Sequence, residues 1–260
     1  MTAAISFENV SASYGAQAAL AGVSASFAAG TVTGIVGPNG AGKTTLFRTA
    51  LGLIKTTGGG VTVFNKAPAQ WSRGALARTI AYLPQGSQAH WPLAARQIVA
   101  LGRLAHRKAL AALSLADENA IDDALMRSDA WQFAQRRMDE LSAGERARIL
   151  FARALATRAP VLLADEPAAY LDPAHQLRLM ELLREEASRG TAVAVTLHDL
   201  ALASRHCDEI IVLDHGCVAG QGRPDAALSD PILARVFGIE AVRTSDATGG
   251  SSALIPWRRL

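Results

Sequence analysis

A mainly parallel α/β sheet covered by helices is the fold class this sequence predicts, and three observations predict it. Short β-branched or aliphatic runs recur at Val32–Val36, Thr79–Leu83, Val161–Ala164, Ala192–Leu197 and Ile210–Leu213. Longer helix-compatible segments separate most of them, the alternation that builds parallel strands under helices. Hydrophobic residues make up 50% of the 260, enough to bury a sizeable core in one large domain or two modest ones.

Taken in order, residues 1–30 and 59–66 read as strands joined by Gly-rich turns, Tyr14-Gly15 and Gly58-Gly59-Gly60. They predict an antiparallel β flank before and after the first helix, Thr45–Leu51. Between residues 87 and 140 the strand signals vanish, and Ala, Leu and Arg recur at helical spacing. A helical subdomain, 87–156, is therefore expected as an insertion in an α/β body made of 1–86 and 157–240. The polar, Gly/Ser-rich stretch Thr244–Ser252 reads as a mobile linker to a short last segment, Ala253–Trp257, which makes 241–260 a C-terminal tail.

The formal charge is +3, from 26 basic and 23 acidic side chains, with no long run of one sign, so a nucleic-acid partner is not expected. Cys207 and Cys217 are too few for a disulfide framework and lack metal-ligand spacing, which predicts free thiols in a reducing compartment. The start, MTAAISFENVSASYG, has no basic segment followed by an apolar core, as a secretory signal requires. Nowhere do about 18 apolar residues run unbroken, so any work at a membrane needs another chain to span it.

Gly37-Pro38-Asn39-Gly40-Ala41-Gly42-Lys43-Thr44 fits G-x-x-x-x-G-K-[ST], between the apolar run Val32–Val36 and the helix-like segment that begins at Thr45. Glycines let backbone N–H groups curl round phosphates, and the helix N-terminus favours their negative charge. Lys43 can then reach the β- and γ-oxygens, and Thr44 offers a hydroxyl to Mg²⁺. The run Val161–Ala164 ends in adjacent carboxylates: Asp165 suits a metal partner, Glu166 a base or water-positioning group.

Leu141-Ser142-Ala143-Gly144-Glu145 carries a capping box, Ser142 with Glu145, ahead of an apolar stripe at 147, 150, 151, 154 and 155. Two readings stay open on these residues alone. They start an ordinary helix, or their free N–H groups and hydroxyl form a second anion seat.

The order phosphate loop, Gln85, LSAGE, acidic pair, His198 resembles the nucleotide-binding subunit of ABC transporters, over roughly residues 5–240. The family signature L-S-G-G-[QE] is matched at Leu141, Ser142, Gly144 and Glu145, with Ala143 in place of a Gly. The resemblance implies a phosphate-loop (RecA-like) ATPase core that binds ATP and Mg²⁺. It implies a head-to-tail pair in which Ser142, Gly144 and Glu145 of one copy close over the γ-phosphate held by the other. Tyr14 is similar to the aromatic that stacks on adenine, Gln85 to the glutamine that touches Mg²⁺ and the attacking water, and His198 to the switch histidine at the γ-phosphate. Asp172 matches a dimer-contact loop, where Ala169 and Tyr170 depart from the usual S-A-L-D.

The segment Arg96–His106, with Leu101-Gly102-Arg103 and His106, resembles the V-x-L-G-R-x-P-H stretch of importer ATPases for iron chelates, haem and cobalamin, with Ala105 replacing Pro. It implies a peripheral subunit on the cytoplasmic face of the inner membrane, docked on integral-membrane permease subunits and served by a substrate-binding protein. A soluble ABC ATPase uncoupled from transport, and a transporter of another substrate class, share the nucleotide motifs.

Overall fold

Val32–Val36 is an apolar run in which every residue is buried, as expected of a strand covered on both faces, and it has a parallel neighbour on each side. The structure, a computed structural model, describes residues 3–86, 92–108, 111–169, 171–245 and 252–260. In chain order its strands are β1 (Ala3–Tyr14), β2 (Gln17–Ala28), β3 (Val32–Val36), β4 (Gly58–Val63), β5 (Ile80–Leu83) and β6 (Val161–Ala164). They continue with β7 (Ala192–Thr196), β8 (Glu209–Asp214), β9 (Cys217–Gly222), β10 (Ile239–Ser245) and β11 (Ser252–Arg259). The longer helices are α1 (Lys43–Ala50), α2 (Arg73–Thr79), α3 (Ala95–Ala100), α4 (Leu115–Arg127), α5 (Ala143–Ala156), α6 (Pro173–Ser188) and α7 (Leu200–His206).

Two compact units divide the chain: Met1–Trp71 with Leu183–Leu260, and Ser72–Leu182. In the first, β7, β3 and β8 run parallel, with Gly34 opposite both Val195 and Ile210, and β9 returns antiparallel beside β8. The flank expected at 1–30 and 59–66 is an antiparallel sheet in the order β2-β1-β4, with Phe7 opposite Ala25 and Ile5 opposite Val63. Its inward residues reach α1 through an aromatic chain. Phe7 meets Phe27 edge-on at 5.3 Å, and Phe27 meets Phe47 at 6.2 Å. All three rings are fully buried. Phe27→Ala is expected to cost about 3–5 kcal/mol, read as a lower urea midpoint at unchanged slope, because it opens a cavity at the centre of this chain.

Of the linker expected at Thr244–Ser252, residues 246–251 lie outside the described residues, while Thr244, Ser245 and Ser252 lie in strands. Strand β10 continues to Ser245, β11 begins at Ser252, and the two pair antiparallel, Val242 opposite Ile255. Long-range contacts hold this hairpin. Leu254 is buried, its N–H bonds the Ser204 hydroxyl of α7 at 3.2 Å, and Arg258 forks onto Glu240 at 2.8 and 2.9 Å.

In the second unit β5 and β6 pair parallel, Leu83 opposite Ala164. This unit is larger than the helical segment expected at 87–156, because β5, β6, α2 and the start of α6 pack with α3, α4 and α5. Helix α4 starts where Ser114 and Asp117 cap each other, and α5 buries the stripe Leu150, Phe151, Ala154 and Leu155 together with Ile149 and Ala152. Among the described residues no helix is long and apolar enough to cross a membrane.

Candidate functional site

The loop between β3 and α1 is shaped by two glycines that no side chain can replace in place. A Cβ on Gly37 (φ +151°) would lie 2.1 Å from the Leu213 carbonyl oxygen, and one on Gly42 (φ +102°) 2.6 Å from that of Ala19. Lys43, 5% exposed, folds back so that Nζ donates to the carbonyls of Gly37 at 2.8 Å and Pro38 at 3.1 Å. Helix α1 has no acidic residue in its first turn and no side-chain cap, so its N-terminal dipole faces the loop uncompensated. Asn39 and Gly40 are exposed, Pro38 and Thr44 half-buried, Ala41 and Thr45 buried. A glycine-bent loop at an uncapped helix N-terminus, with an ammonium folded against it, has the chemistry that suits a phosphate.

Two other sequence-predicted residues lie in the same unit. His198 is exposed just past the end of β7, and since β7 neighbours β3 in parallel it leaves the sheet at the same end as the phosphate loop. Asp199 accepts from the N–H groups of Ala201 at 2.7 Å and Leu202 at 3.0 Å, a helix cap that fixes where His198 sits. Tyr14 is 47% exposed at the end of β1, its hydroxyl accepting from Arg48 Nη1 at 3.2 Å.

In the second unit Gln85, Asp165 and Glu166 come together because β5 and β6 end side by side. Asp165 is 1% exposed, its N–H donates to the Leu83 carbonyl at 2.8 Å, and the Tyr82 hydroxyl donates to its Oδ2 at 3.2 Å. Gln85 Nε2 donates to Glu166 Oε2. Glu166 itself has φ +49°, a left-handed backbone that costs about 1–3 kcal/mol in a residue with a Cβ. Sequence reasoning passed over Tyr82, whose signal was its position one residue before Leu83 on the strand that delivers Gln85.

Ser142, Gly144 and Glu145 form the start of α5. The Ser142 N–H donates to Glu145 Oε2 at 2.7 Å, which holds the Glu145 carboxyl below its usual range, and the Glu145 N–H donates to Ser142 Oγ at 3.3 Å. The N–H groups of Ala143 and Gly144 have no acceptor among the described residues. Gly144 lies under an imidazole: a Cβ there would meet His175 Cδ2 at 2.5 Å. His175 Nδ1 pairs with Asp172 Oδ2 at 2.7 Å and its N–H donates to Asp172 Oδ1 at 2.9 Å, so Asp172 caps the start of α6 ahead of Pro173. Sequence reasoning assigned His175 no role, and only its i+3 spacing from Asp172 hinted at one. Tyr170 lies outside the described residues.

Gln85 and Asp165 offer oxygens at the neighbouring ends of β5 and β6, and Thr44 a hydroxyl at the start of α1, hard donors of the kind that suit Mg²⁺. No group of three His, Cys, Asp or Glu side chains that could hold a metal occurs among the described residues.

Fold and site together define the phosphate-loop class of nucleotide-binding α/β proteins. Within that class the chain belongs to the ABC transporter family, whose model matches residues 20–169. It is similar to the cobalamin import ATP-binding protein BtuD of Halobacterium salinarum, 43% identical over 229 residues, which are 87% of this chain and 57% of that protein. The chain thus spans little more than half the length of that relative. It is also 35% identical to the hemin import ATP-binding protein HmuV of Thermobifida fusca over 257 residues, 99% of this chain and 90% of that one. Among solved structures it is similar to the dimeric post-hydrolysis state of the ATP-binding cassette MJ0796 bound to ADP and Pi, with TM-score 0.73, 28% identity, and coverage of 85% of this chain and 98% of that one.

Proposed function

We propose that this chain is the ATP-hydrolysing subunit of an importer for haem, cobalamin or an iron chelate. It works as a head-to-tail pair, bound peripherally to permease subunits at the cytoplasmic face of the membrane and served by a substrate-binding protein. The observation that carries the pairing is the α5 start: a capped helix end whose Ala143 and Gly144 N–H groups have no acceptor among the described residues suits an anion, in the unit that lacks the phosphate loop. The relatives named for hemin and cobalamin import support the substrate class.

In this reading Tyr14 stacks on adenine, and residues 37–45 wrap the phosphates with Lys43 at the β- and γ-oxygens. Mg²⁺, when bound, neutralises phosphate charge, and Thr44, Gln85 and Asp165 would hold it. Glu166 orients water and accepts its proton as the water oxygen bonds to the γ-phosphorus and the bond to the ADP oxygen breaks. His198 donates to a γ-oxygen, and Ser142, Gly144 and Glu145 of a second copy complete the pocket. ATP binding closes the pair, and loss of the γ-phosphate releases it.

Mixing copies tests the shared pocket. Ser142→Arg and Lys43→Ala proteins are each expected to be folded and inert. Combined in equal amounts, half the pairs are mixed and each contains one intact pocket, so phosphate release returns to about a quarter of the unaltered protein's. No recovery from folded, pairing-competent proteins would sink the head-to-tail arrangement.

A further inference from the structure

The Leu101–His106 turn carries the likeness to chelate importers, yet none of the nucleotide-site residues uses it. Its contacts run to the far end of the signature helix. A Cβ on Gly102 would stand 2.2 Å from the Arg153 carbonyl oxygen and 3.1 Å from the Ala156 methyl, so the turn presses directly on the last turn of α5. Arg103, 7% exposed, donates from Nη1 to the Ala156 carbonyl at 2.8 Å and from Nε to Asp117 Oδ1 at 2.8 Å. Asp117 is itself fixed by the Ser114 hydroxyl at 2.7 Å and the Ser114 N–H at 3.1 Å. His106 Nε2 donates to the Thr157 carbonyl at 2.9 Å, and Arg78 Nη1 holds the turn from outside through the Ala105 carbonyl at 2.8 Å.

A helix ends with unsatisfied carbonyls and a negative dipole pole, and a glycine in the left-handed conformation normally closes it. Here Arg158 takes that conformation, φ +51°, with its Cβ strain, and the guanidinium and imidazole of the turn satisfy the carbonyls of Ala156 and Thr157. Three groups at one helix end, two of them cationic or polarised donors, make a clasp.

We infer that Arg103 and His106 are positioning residues for ATP hydrolysis: by gripping the C-terminal end of α5 they aim its Ser142 end at the triphosphate held by a second copy. This rests on the head-to-tail reading above. The 14 residues of α5 make a lever about 20 Å long, so a tilt of about 5° displaces Ser142 by roughly 2 Å. Misplacing a positioning group by about 1 Å can cost about a hundredfold in rate.

The test uses full-length chains in mixed pairs. Arg103→Lys keeps a charge beside Asp117 but loses the two-pronged geometry. His106→Ala removes the Thr157 donor, and His106→Gln restores one. Each of the first two is expected to lower ATP turnover at least about tenfold without changing affinity for a non-hydrolysable ATP analogue, and His106→Gln to recover most of it. Paired with Lys43→Ala, which contributes an intact signature end, each should match the Ser142→Arg with Lys43→Ala reference pair. Paired with Ser142→Arg, which contributes an intact phosphate loop, each should stay at least about fivefold below that reference once the variant's own homopairs are counted. Equal activity in the two pairings, or full turnover by His106→Ala alone, overturns the assignment. Should Arg103→Lys fail to fold, the more exposed His106 variants still decide. An inert reference pair identifies failure of the shared pocket instead, and the clasp's catalytic role goes with it.

Discussion

Glu166→Gln is expected to lower phosphate release by about 10³-fold while the protein still binds ATP, the middle of the range for removing a general base. The substitution isolates the charge. A glutamine oxygen can still accept from Gln85 Nε2, the side chain keeps its length, and the left-handed backbone at 166 is no more strained for Gln than for Glu. Only the proton-accepting power is lost. The paired measurements are phosphate release and ATP retained on the protein at equilibrium. Release within threefold of the unaltered protein would show that water is activated by another group, and loss of ATP retention would show that Glu166 serves binding.

Asp117→Asn is expected to cost about 3 kcal/mol of folding stability, the low end for breaking a buried pair, because it leaves the Arg103 guanidinium charged and without its carboxylate. The Ser114 hydroxyl, then Arg103, holds the Asp117 carboxyl well below the ordinary carboxylate range. A depressed folded-state pKa stabilises while the group is ionised in both states and loses that stabilisation as the unfolded chain takes up protons first. The contribution is therefore whole above about pH 5 and fades as pH falls through about 4 and below. Urea melts at pH 7 and pH 3.5 measure both parts: the gap between the two proteins should narrow in acid. A constant gap, or one below about 1 kcal/mol, would mean that Arg103 is adequately held by Ala156 alone.

What could be read without coordinates was whatever local chemistry dictates. The runs Val32–Val36 and Val161–Ala164 coincide with β3 and β6, because strands buried on both faces need continuous apolar residues and are bounded by a Gly loop and a carboxylate pair. The capping box at Ser142 was likewise legible, being a matter of four neighbouring residues. Tertiary partnerships were not. Polar composition predicts a linker at Thr244–Ser252, of which 246–251 lie outside the described residues, but the pairing of the segments on either side leans on Leu254 meeting Ser204, 50 residues away in the chain. The extent of the second unit depends on β5 pairing with β6 across an intervening helical segment, and no window of sequence contains both. Tyr82 meets Asp165, and the His175 ring meets Gly144, only once the chain folds.

The ring of His175 resting on the bare Cα of Gly144 ties two surface turns into one object. A methyl at 144 would displace the imidazole and cost Asp172 its bond to Nδ1, while the His175 N–H still caps α6. A side chain at 144 is therefore felt 31 residues further on, as an imidazole turned away from the carboxylate that steadies it.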